Sequence, residues 1–243
     1  MKRHSTIIGI LAIVLLMSAG MTAFPEENSP SDSGERSKNL KSVIAEIGRN
    51  GDDEKKSLGA RTILMPIPVW VIGSYDKAGK PNVMTSAWVG ICCSRPPCVM
   101  TCLREATYTF GNIMERKAFT VNIPSKSFAK ETAYFGSVSG RDVDKFSTTG
   151  LTPIKSDLVD APYIKEFPLV VECKLLRTIE LGLHTMFIGE IMDVKADKSI
   201  LGEIDSLDIE KLKPFVYVPG SRDFYRTGEY LGKVSSLVED LNK

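Results

Sequence analysis

The chain has 243 residues, with 31 basic and 30 acidic side chains and a formal net charge of +1 at pH 7. This near-neutral charge, without a basic stripe, argues against nucleic acid as a partner. The length that remains after the N-terminal segment described next suits a single domain.

The N-terminus has the layout of an export signal. Lys2 and Arg3 precede an apolar run at residues 7–17, and small residues follow up to Ala23. That run of about 11 residues would span roughly 17 Å as a helix, against a hydrocarbon core of ~30 Å. We therefore predict that residues 1–23 are a signal peptide cleaved after Ala23, so that the mature protein is periplasmic or extracellular. The alternative is an uncleaved N-terminal membrane anchor.

Residues 24–54 are rich in Ser, Glu, Asn, Asp and Pro, which predicts a flexible linker. The folded domain is predicted to occupy residues 55–243 and to begin near residues 58–65. The core of the domain is therefore expected to consist of the strands and helices that follow the linker.

Short apolar runs separated by turns dominate this domain. Gly79 and Pro81 mark a tight turn after the first strand, and Gly182 marks a hairpin turn between two long strands. The predicted strands are residues 69–74, 83–89, 99–103, 119–123, 169–180 and 184–194, and the predicted helices are 108–116 and 128–135. This pattern favours a mainly β fold, a β-barrel with short helices, over a doubly wound sheet.

The stretch from Asn82 to Pro97 contains unusual polar residues. Thr85 and Ser86 stand where an ordinary core strand would have Val or Ile, and a buried hydroxyl without a partner costs free energy. A ligand rich in oxygens would supply such partners. The alternative is that these hydroxyls alternate outward on an ordinary strand.

A second polar group lies at the start of the helix predicted at 108–116. Thr107 is suited to cap that helix, and Arg104 beside it has the forked guanidinium that binds phosphate oxygens. The amides at a helix start also attract anions. A simple cap with a solvated arginine is the alternative.

The five cysteines do not form a metal or disulfide pattern. Cys98 and Cys102 lie roughly 13 Å apart along a strand, which is too far for a bridge, and a vicinal Cys92–Cys93 bridge would be strained. The chain has no Cys-x-x-Cys, and its two histidines, His4 and His184, are far apart in sequence, so no metal site is predicted. Inert thiols and a redox-active Cys92 or Cys93 both remain open.

Taken in order, several short segments of the chain resemble the flavin reductase-like family, including the flavoredoxins, whose fold is the FMN-binding split barrel. The resemblance extends from about residue 55 to about residue 233, and no single segment is specific by itself. The segments are Pro66-Ile67-Pro68-Val69, Gly79-Lys80-Pro81-Asn82, Thr85-Ser86-Ala87-Trp88, Ser94-Arg95-Pro96-Pro97, Phe119-Thr120-Val121-Asn122, Asp144-Lys145-Phe146 and His184-Thr185-Met186-Phe187-Ile188-Gly189-Glu190.

The resemblance implies FMN as the cofactor and assigns residues to it. The ribityl phosphate would lie along Asn82 and the Thr85–Trp88 stretch, with Arg104 and Thr107 at the phosphate. A loop holding Cys92, Cys93 and Ser94 would face the polar edge of the isoalloxazine ring. The residues implied to bind the cofactor are Asn82, Thr85, Ser86, Ala87, Trp88, Cys92, Cys93, Ser94, Arg104, Thr107 and Asn122.

Two of the implied residues have structural alternatives of similar weight. His184 would face the flavin, where it could contact FMN or the nicotinamide donor or move a proton around the reduced ring. A lone histidine on a strand can equally be a satisfied structural residue. Asn122 would lie near the cofactor or a dimer contact, or would be a buried asparagine bonded to backbone.

The function that the resemblance implies is a homodimeric FMN oxidoreductase. It would take electrons from a reduced nicotinamide, NAD(P)H, or a redox protein and pass them through FMN to an acceptor. One alternative is a non-catalytic flavoredoxin-type electron carrier, since reduced nicotinamides are not expected outside the cytoplasm. Another is a split-barrel protein that binds haem or a different ligand.

Overall fold

The computed structural model describes residues 55–241, in which Ala60 is the first residue of a compact unit. The segments predicted as signal peptide or anchor (1–23) and linker (24–54) lie outside the described residues and stay predictions. Within residues 55–241, no helix combines the length and the apolar character needed to cross a bilayer.

The described part of the chain is mostly β with short helices, as the sequence predicts. Its strands are β1 (Ile67–Pro68), β2 (Trp70–Tyr75), β3 (Pro81–Ser86), β4 (Val89–Ser94), β5 (Pro97–Leu103), β6 (Ala118–Ile123), β7 (Pro153–Lys155), β8 (Pro162–Ile164), β9 (Leu169–Leu181), β10 (His184–Ala196), β11 (Phe215–Val218) and β12 (Asp223–Arg226). Its α-helices are α1 (Tyr108–Arg116), α2 (Ala129–Ser137), α3 (Lys145–Thr149), α4 (Ile209–Leu212) and α5 (Val234–Leu241).

Seven strands form one antiparallel sheet in the order β3-β2-β6-β9-β10-β5-β4. The sheet curls until β3 meets β5, where the Ser86 and Thr101 hydroxyls are hydrogen bonded at 3.0 Å and buried. The Cys102 N–H donates to the Trp88 carbonyl at 2.9 Å, which continues the β4–β5 ladder. Because the Ser86–Thr101 bond joins the outer strand β3 to β5, it closes the barrel and leaves β4 as its free edge.

The hairpins follow from local turn chemistry. Between β2 and β3, the N–H groups of Gly79 and Lys80 donate to the backbone and side-chain oxygens of Asp76, and Gly79 has the positive φ of 84° that suits glycine. Between β9 and β10, Gly182 has φ 72° in the predicted turn. Both hairpins confirm the sequence prediction.

Apolar residues of β2 pack on both faces of the sheet, since successive strand residues point to opposite sides. Ile72 belongs to the core inside the barrel with Phe119 and Phe187, and its neighbour Val71 belongs to a second core with Phe135. Phe135 lies on α2, so this short helix covers the outer face of the sheet next to β3.

The structure corrects the prediction from the sequence at residues 83–94. The strand predicted at 83–89 ends at Ser86, because β3 pairs with β2 whereas the chain after Trp88 pairs with β5. The predicted loop at 91–94 is part of β4, with Ile91 opposite Val99. Pairing with β5 therefore keeps Gly90 and the residues after it in an extended strand.

Several short elements gave no clear signal in the sequence. Strands β1, β11 and β12 form a small antiparallel sheet in the order β1-β11-β12, and β7 pairs with β8. The β11–β12 hairpin borders one of the clefts of the candidate site.

Candidate functional site

Three clefts follow one another along β3 and the residues after it. The loop cleft, of about 380 Å³, lies between β3, the start of α1 and the loop after α2; Asn82, Thr107, Ser139, Arg141 and Lys145 line it. The middle cleft, of about 490 Å³, is lined by Thr85, Ala87, Ser137, Tyr217 and Arg222. The apolar cleft, of about 380 Å³, is lined by Leu64, Ile67, Ala87, Trp88 and Met100.

The clefts share walls, so they adjoin. Gly136 and Ser137, at the end of α2, line both the loop cleft and the middle cleft. Ala87 lines both the middle cleft and the apolar cleft. Together they form a path that is polar at the Asn82 end and apolar at the Trp88 end.

Asn82 is the buried polar residue of the loop cleft. It is only 4% exposed, and its Nδ2 donates to Thr109 Oγ1 at 3.0 Å. Its Oδ1 is buried and has no hydrogen-bond partner among the described residues. An unpaired buried acceptor costs free energy, so this atom is suited to accept a hydrogen bond from a ligand.

The loop after α2 approaches Asn82 closely. A Cβ atom at Gly140 would lie 2.0 Å from Asn82 Oδ1, so the loop can take this position only with glycine there. The next residue, Arg141, donates from Nη1 to the Ala106 carbonyl at 2.8 Å, and its guanidinium lies 5.4 Å from the centroid of the Tyr108 ring. Arg141 thus joins the loop to the segment before α1 and places a positive charge beside the cleft.

Lys145 supports the inner side of the loop cleft. Its Nζ donates to the carbonyls of Val83 and Phe135, each at 2.8 Å. Phe135 lies in the last turn of α2, so the ammonium also satisfies a helix-terminal carbonyl. Burial lowers the pKa of Lys145 from 10.5 to about 8.

Tyr108 connects the same cleft to the β2–β3 turn. Its hydroxyl donates to Asp76 Oδ2 at 2.8 Å. Burial raises the pKa of Tyr108, and the hydrogen bond to Asp76 raises it further. The phenol is therefore neutral at ordinary pH and works as a fixed donor rather than as a base.

The hydroxyls predicted on β3 differ in their surroundings. Thr85 is half-buried in the middle cleft and donates its proton to the Thr132 carbonyl at 2.5 Å, so its oxygen can act towards a ligand only as an acceptor. Ser86 is buried in the seam that closes the barrel, bonded to Thr101. The structure therefore brings Asn82, Thr85, Ala87 and Trp88 to the clefts but places Ser86 behind them.

The rings of His184 and Trp88 are in contact. Their ring centroids lie 4.6 Å apart with the planes tilted by 35°, and the indole is 40% exposed. Trp88 lines the apolar cleft. The pair offers an exposed aromatic surface beside an imidazole at the apolar end of the path.

Arg104 and Thr107 lie together before α1. The Thr107 hydroxyl donates to the Arg104 carbonyl at 2.8 Å and accepts from the Phe110 N–H at 3.4 Å, which confirms the predicted cap. Thr107 lines the loop cleft, whereas the Arg104 side chain is exposed and is absent from the described walls of all three clefts. Arg141, rather than Arg104, is the arginine that lines the loop cleft.

The other predicted residues lie away from the clefts. Cys92, Cys93 and Ser94 are exposed on β4, at the free edge of the barrel, in a strand rather than the predicted loop. Asn122 is fully buried in β6, and its amide bonds the Val71 carbonyl, Thr120 Oγ1 and the Ile164 N–H at 2.9–3.0 Å. None of these four residues is among the lining residues described above, and the contacts of Asn122 are those of its structural alternative.

The sequence did not assign Gly136, Gly140, Arg141, Tyr217 or Arg222 to the site. The run Ser139-Gly140-Arg141 after a helix was a usable signal, because glycine lets the backbone approach closely and an arginine guanidinium binds anions. The β11–β12 hairpin gave no such signal, since its contribution of Tyr217 and Arg222 depends on how the chain returns to the barrel. Among residues 55–241, the His, Cys, Asp and Glu side chains form no group of three that could hold a metal ion.

Comparison with known proteins identifies the family of this fold. The profile of the flavin reductase-like domain family matches residues 61–224. The chain belongs to the flavin reductase-like family. The fold predicted from the resemblance, the split barrel of this family, is thereby confirmed.

Individual relatives of this flavin reductase-like chain are similar over most of the barrel. The structure of the flavoredoxin of Desulfovibrio vulgaris (Miyazaki F) is 50% identical, with a TM-score of 0.72 over 75% of this chain and 98% of that one. The flavoredoxin from Methanosarcina acetivorans is 30% identical, with a TM-score of 0.71 over 77% of this chain and 99% of that one. The reductase component of a 4-nitrophenol 4-monooxygenase/4-nitrocatechol 2-monooxygenase from Rhodococcus opacus is 25% identical over 52% of this chain and 63% of its own length.

Proposed function

We propose that this protein is an FMN-binding oxidoreductase that passes electrons from a reduced nicotinamide or a redox-protein donor through FMN to an acceptor. The observation that carries the proposal is the path along β3, polar at one end and apolar at the other. FMN has the same division, with a phosphate and ribityl chain joined to a flat ring. The half-identical flavoredoxin supports FMN, the cofactor that the resemblance implies.

The residues of the loop and middle clefts fit the polar part of FMN. Asn82 Oδ1 is a buried acceptor that a ribityl hydroxyl would satisfy, and Thr85 offers a second acceptor. Arg141 supplies positive charge for the phosphate, with Thr107 at the cleft wall and Arg104 close by in sequence. Gly136 and Gly140 keep the backbone close to this path.

The apolar cleft fits the ring. Ala87 leaves space, and Trp88 offers an aromatic face beside His184. FMN would supply the hydride and single-electron chemistry. The apolar side chains of the cleft would hold the ring and exclude water, and the His184 imidazole beside Trp88 would be close enough to exchange a proton.

Two observations favour different versions of this activity. The Rhodococcus relative is named as a reductase component, which supports an enzyme that uses a soluble donor. The greater likeness to flavoredoxins supports an electron carrier that exchanges electrons with other redox proteins. Export of the mature protein, which we propose from residues 1–23, favours the carrier because reduced nicotinamides are not expected outside the cytoplasm.

We also propose a homodimer. The β9–β10 hairpin exposes large apolar side chains at its turn end, among them Leu176, Leu181 and Leu183. Burying such residues against a second copy of the chain would be favourable. Light scattering of the purified protein should then give twice the mass of the chain, and a monomer would contradict the dimer without touching the FMN proposal.

The proposed cofactor is tested by its spectrum and stoichiometry. Protein purified from its native compartment should carry close to one FMN per chain with quenched flavin fluorescence, and apoprotein should rebind FMN at micromolar concentration. A haem spectrum, or no retention of FMN, would contradict the proposal. Mass spectrometry of the same sample should find the N-terminus at residue 24, whereas an intact Met1 would contradict export.

The donor is tested on the FMN-loaded protein without oxygen. Rapid bleaching of the flavin absorbance by NADH or NADPH supports the reductase, and bleaching only by a reduced redox protein supports the carrier. His184→Gln should slow bleaching and change its pH dependence while FMN affinity changes little, because a proton-exchanging role depends on titration. An unchanged pH profile would show that His184 only packs against Trp88.

A further inference from the structure

The β4–β5 hairpin holds four of the five cysteines: Cys92, Cys93, Cys98 and Cys102. In the register of this hairpin Cys93 is directly opposite Cys98, and Ser94 is opposite Pro97. The register shifts between Ile91 and Cys93, so Cys92 is the extra residue of a bulge. The hairpin therefore places Cys93 opposite Cys98 and leaves Cys92 and Cys102 outside this pairing.

The spacing of this pair suits a disulfide bond. Residues opposite each other on antiparallel strands have Cα atoms about 4.5–5.5 Å apart, within the roughly 4.4–6.8 Å that disulfides need. Side chains of such a pair also lie on the same face of the sheet. The pair is therefore in reach of a bond with little movement of the backbone.

The two sulfurs differ in access. Cys93 is exposed, and its Sγ lies 3.3 Å from the Arg95 carbonyl, to which it donates. Cys98 is only 2% exposed, and burial raises its pKa. An exposed thiol meets a partner first, whereas a buried one reacts only with the sulfur next to it.

We propose that Cys93 and Cys98 are a redox pair that interconverts between dithiol and disulfide by exchange with a protein or small-molecule disulfide. The Cys93 thiolate attacks the partner's disulfide, which forms a mixed disulfide and releases one partner thiol. The Cys98 sulfur then attacks Cys93 Sγ and releases the second partner thiol. Two electrons and the two thiol protons pass to the partner, and the Cys93–Cys98 bond remains.

Competing links can be distinguished by their position. Cys92 and Cys93 are adjacent, and a ring between neighbours is strained. Cys173 is buried in β9, and burial raises its pKa well above the ordinary value, so it is protected from exchange. Cys102 lies on the same strand as Cys98 and outside the β4 pairing, which makes it a matched control.

The test uses the full chain, first reduced and then incubated with oxidised glutathione. After free thiols are blocked and the protein is digested, mass spectrometry should find Cys93 joined to Cys98 in most molecules, with the loss of two hydrogens. Dithiothreitol should reverse the link. A Cys92–Cys93 or Cys98–Cys173 link, or glutathione retained on Cys92 alone, would overturn the proposal.

Variants test the order of the two steps. Cys98→Ala should accumulate glutathione on Cys93, because the second step is lost, and Cys93→Ser should form neither product. Cys92→Ser and Cys102→Ser should form the Cys93–Cys98 link as the unaltered chain does. Because mapping of the unaltered chain decides the question, a variant that fails to fold leaves the test intact, and failure to bind FMN has no bearing on it.

Discussion

Strands β3 and β6 both carry polar side chains among apolar ones, yet they use them differently. On β6, the Asn122 amide donates to the Val71 carbonyl and to Thr120 Oγ1 and accepts from the Ile164 N–H, all inside the protein. On β3, Asn82 has one internal bond, and its Oδ1 has no partner among the described residues. A polar residue in an apolar strand thus indicates a ligand only when the neighbouring chain leaves it unsatisfied.

The reason for the difference is what lies next to each strand. β6 is central in the sheet, with β2 and β9 on either side and β8 behind, so each polar atom meets backbone. β3 is an outer strand of the sheet order, covered by helix and loop, and a cleft remains between them. The same residue type is therefore fully hydrogen bonded in one strand and, among the described residues, left with an unpaired oxygen in the other.

The largest effect should come from removing the internal hydrogen bonds of Asn122 on β6. Asn122→Ala removes three buried hydrogen bonds and leaves the Ile164 N–H without its acceptor, so the free energy of unfolding should fall by about 3 kcal/mol. Urea unfolding at neutral pH measures this. FMN affinity of the folded variant should stay close to that of the unaltered chain. A specific loss of FMN binding would instead show that Asn122 contacts the cofactor.

A methyl group at Gly140 should disturb the cleft itself. The new Cβ would meet Asn82 Oδ1 at 2.0 Å, so the loop must move, and we expect a loss of about 2 kcal/mol in FMN binding or stability. Gly111→Ala is the matched control, because nothing lies within 4 Å of its Cβ. In helix α1 that change should stabilise the fold by about 0.5–1 kcal/mol. Equal effects of the two changes would contradict the close approach at Gly140.

The two arginines test where the phosphate lies. Arg141→Ala should weaken FMN by about 1.5 kcal/mol more than riboflavin, since a charge-assisted bond to phosphate is lost. Arg104→Ala should show the same selectivity to a smaller degree, because that side chain is exposed and outside the described cleft walls. Titration calorimetry with both ligands decides, and a larger selective loss at Arg104 would reverse the assignment.

The smallest effect is a change in the pH dependence of stability. The pKa of Lys145 is about 8 in the folded protein, against the ordinary value of 10.5 in the unfolded chain. Between these pH values the unfolded chain therefore binds more protons. The free energy of unfolding contributed by this group therefore rises from pH 8 to pH 10. Lys145→Met should lower the free energy of unfolding overall, and the variant should lack this rise between pH 8 and pH 10. A parallel pair of pH curves would show that Lys145 titrates normally.

Much of the barrel could be predicted from the sequence because its determinants are local. Helix α1 begins and ends where predicted, since Thr107 caps it and the residues that follow have helical spacing. The turns at Gly79 and Gly182 need the positive φ that glycine allows. Strands β6, β9 and β10 follow from apolar runs of the right length. The family resemblance added the order of these elements and the identity of the expected cofactor.

The tertiary structure decided which polar and reactive residues meet. Ser86 and Thr85 are adjacent in sequence, yet one closes the barrel seam and the other faces a cleft, because successive strand residues point to opposite sides. Arg141 replaces Arg104 beside the loop cleft only because the chain after α2 returns to Ala106. The Cys93–Cys98 register likewise depends on where β4 pairs with β5. Contacts between distant segments depend on packing of the whole chain, which local sequence patterns do not encode.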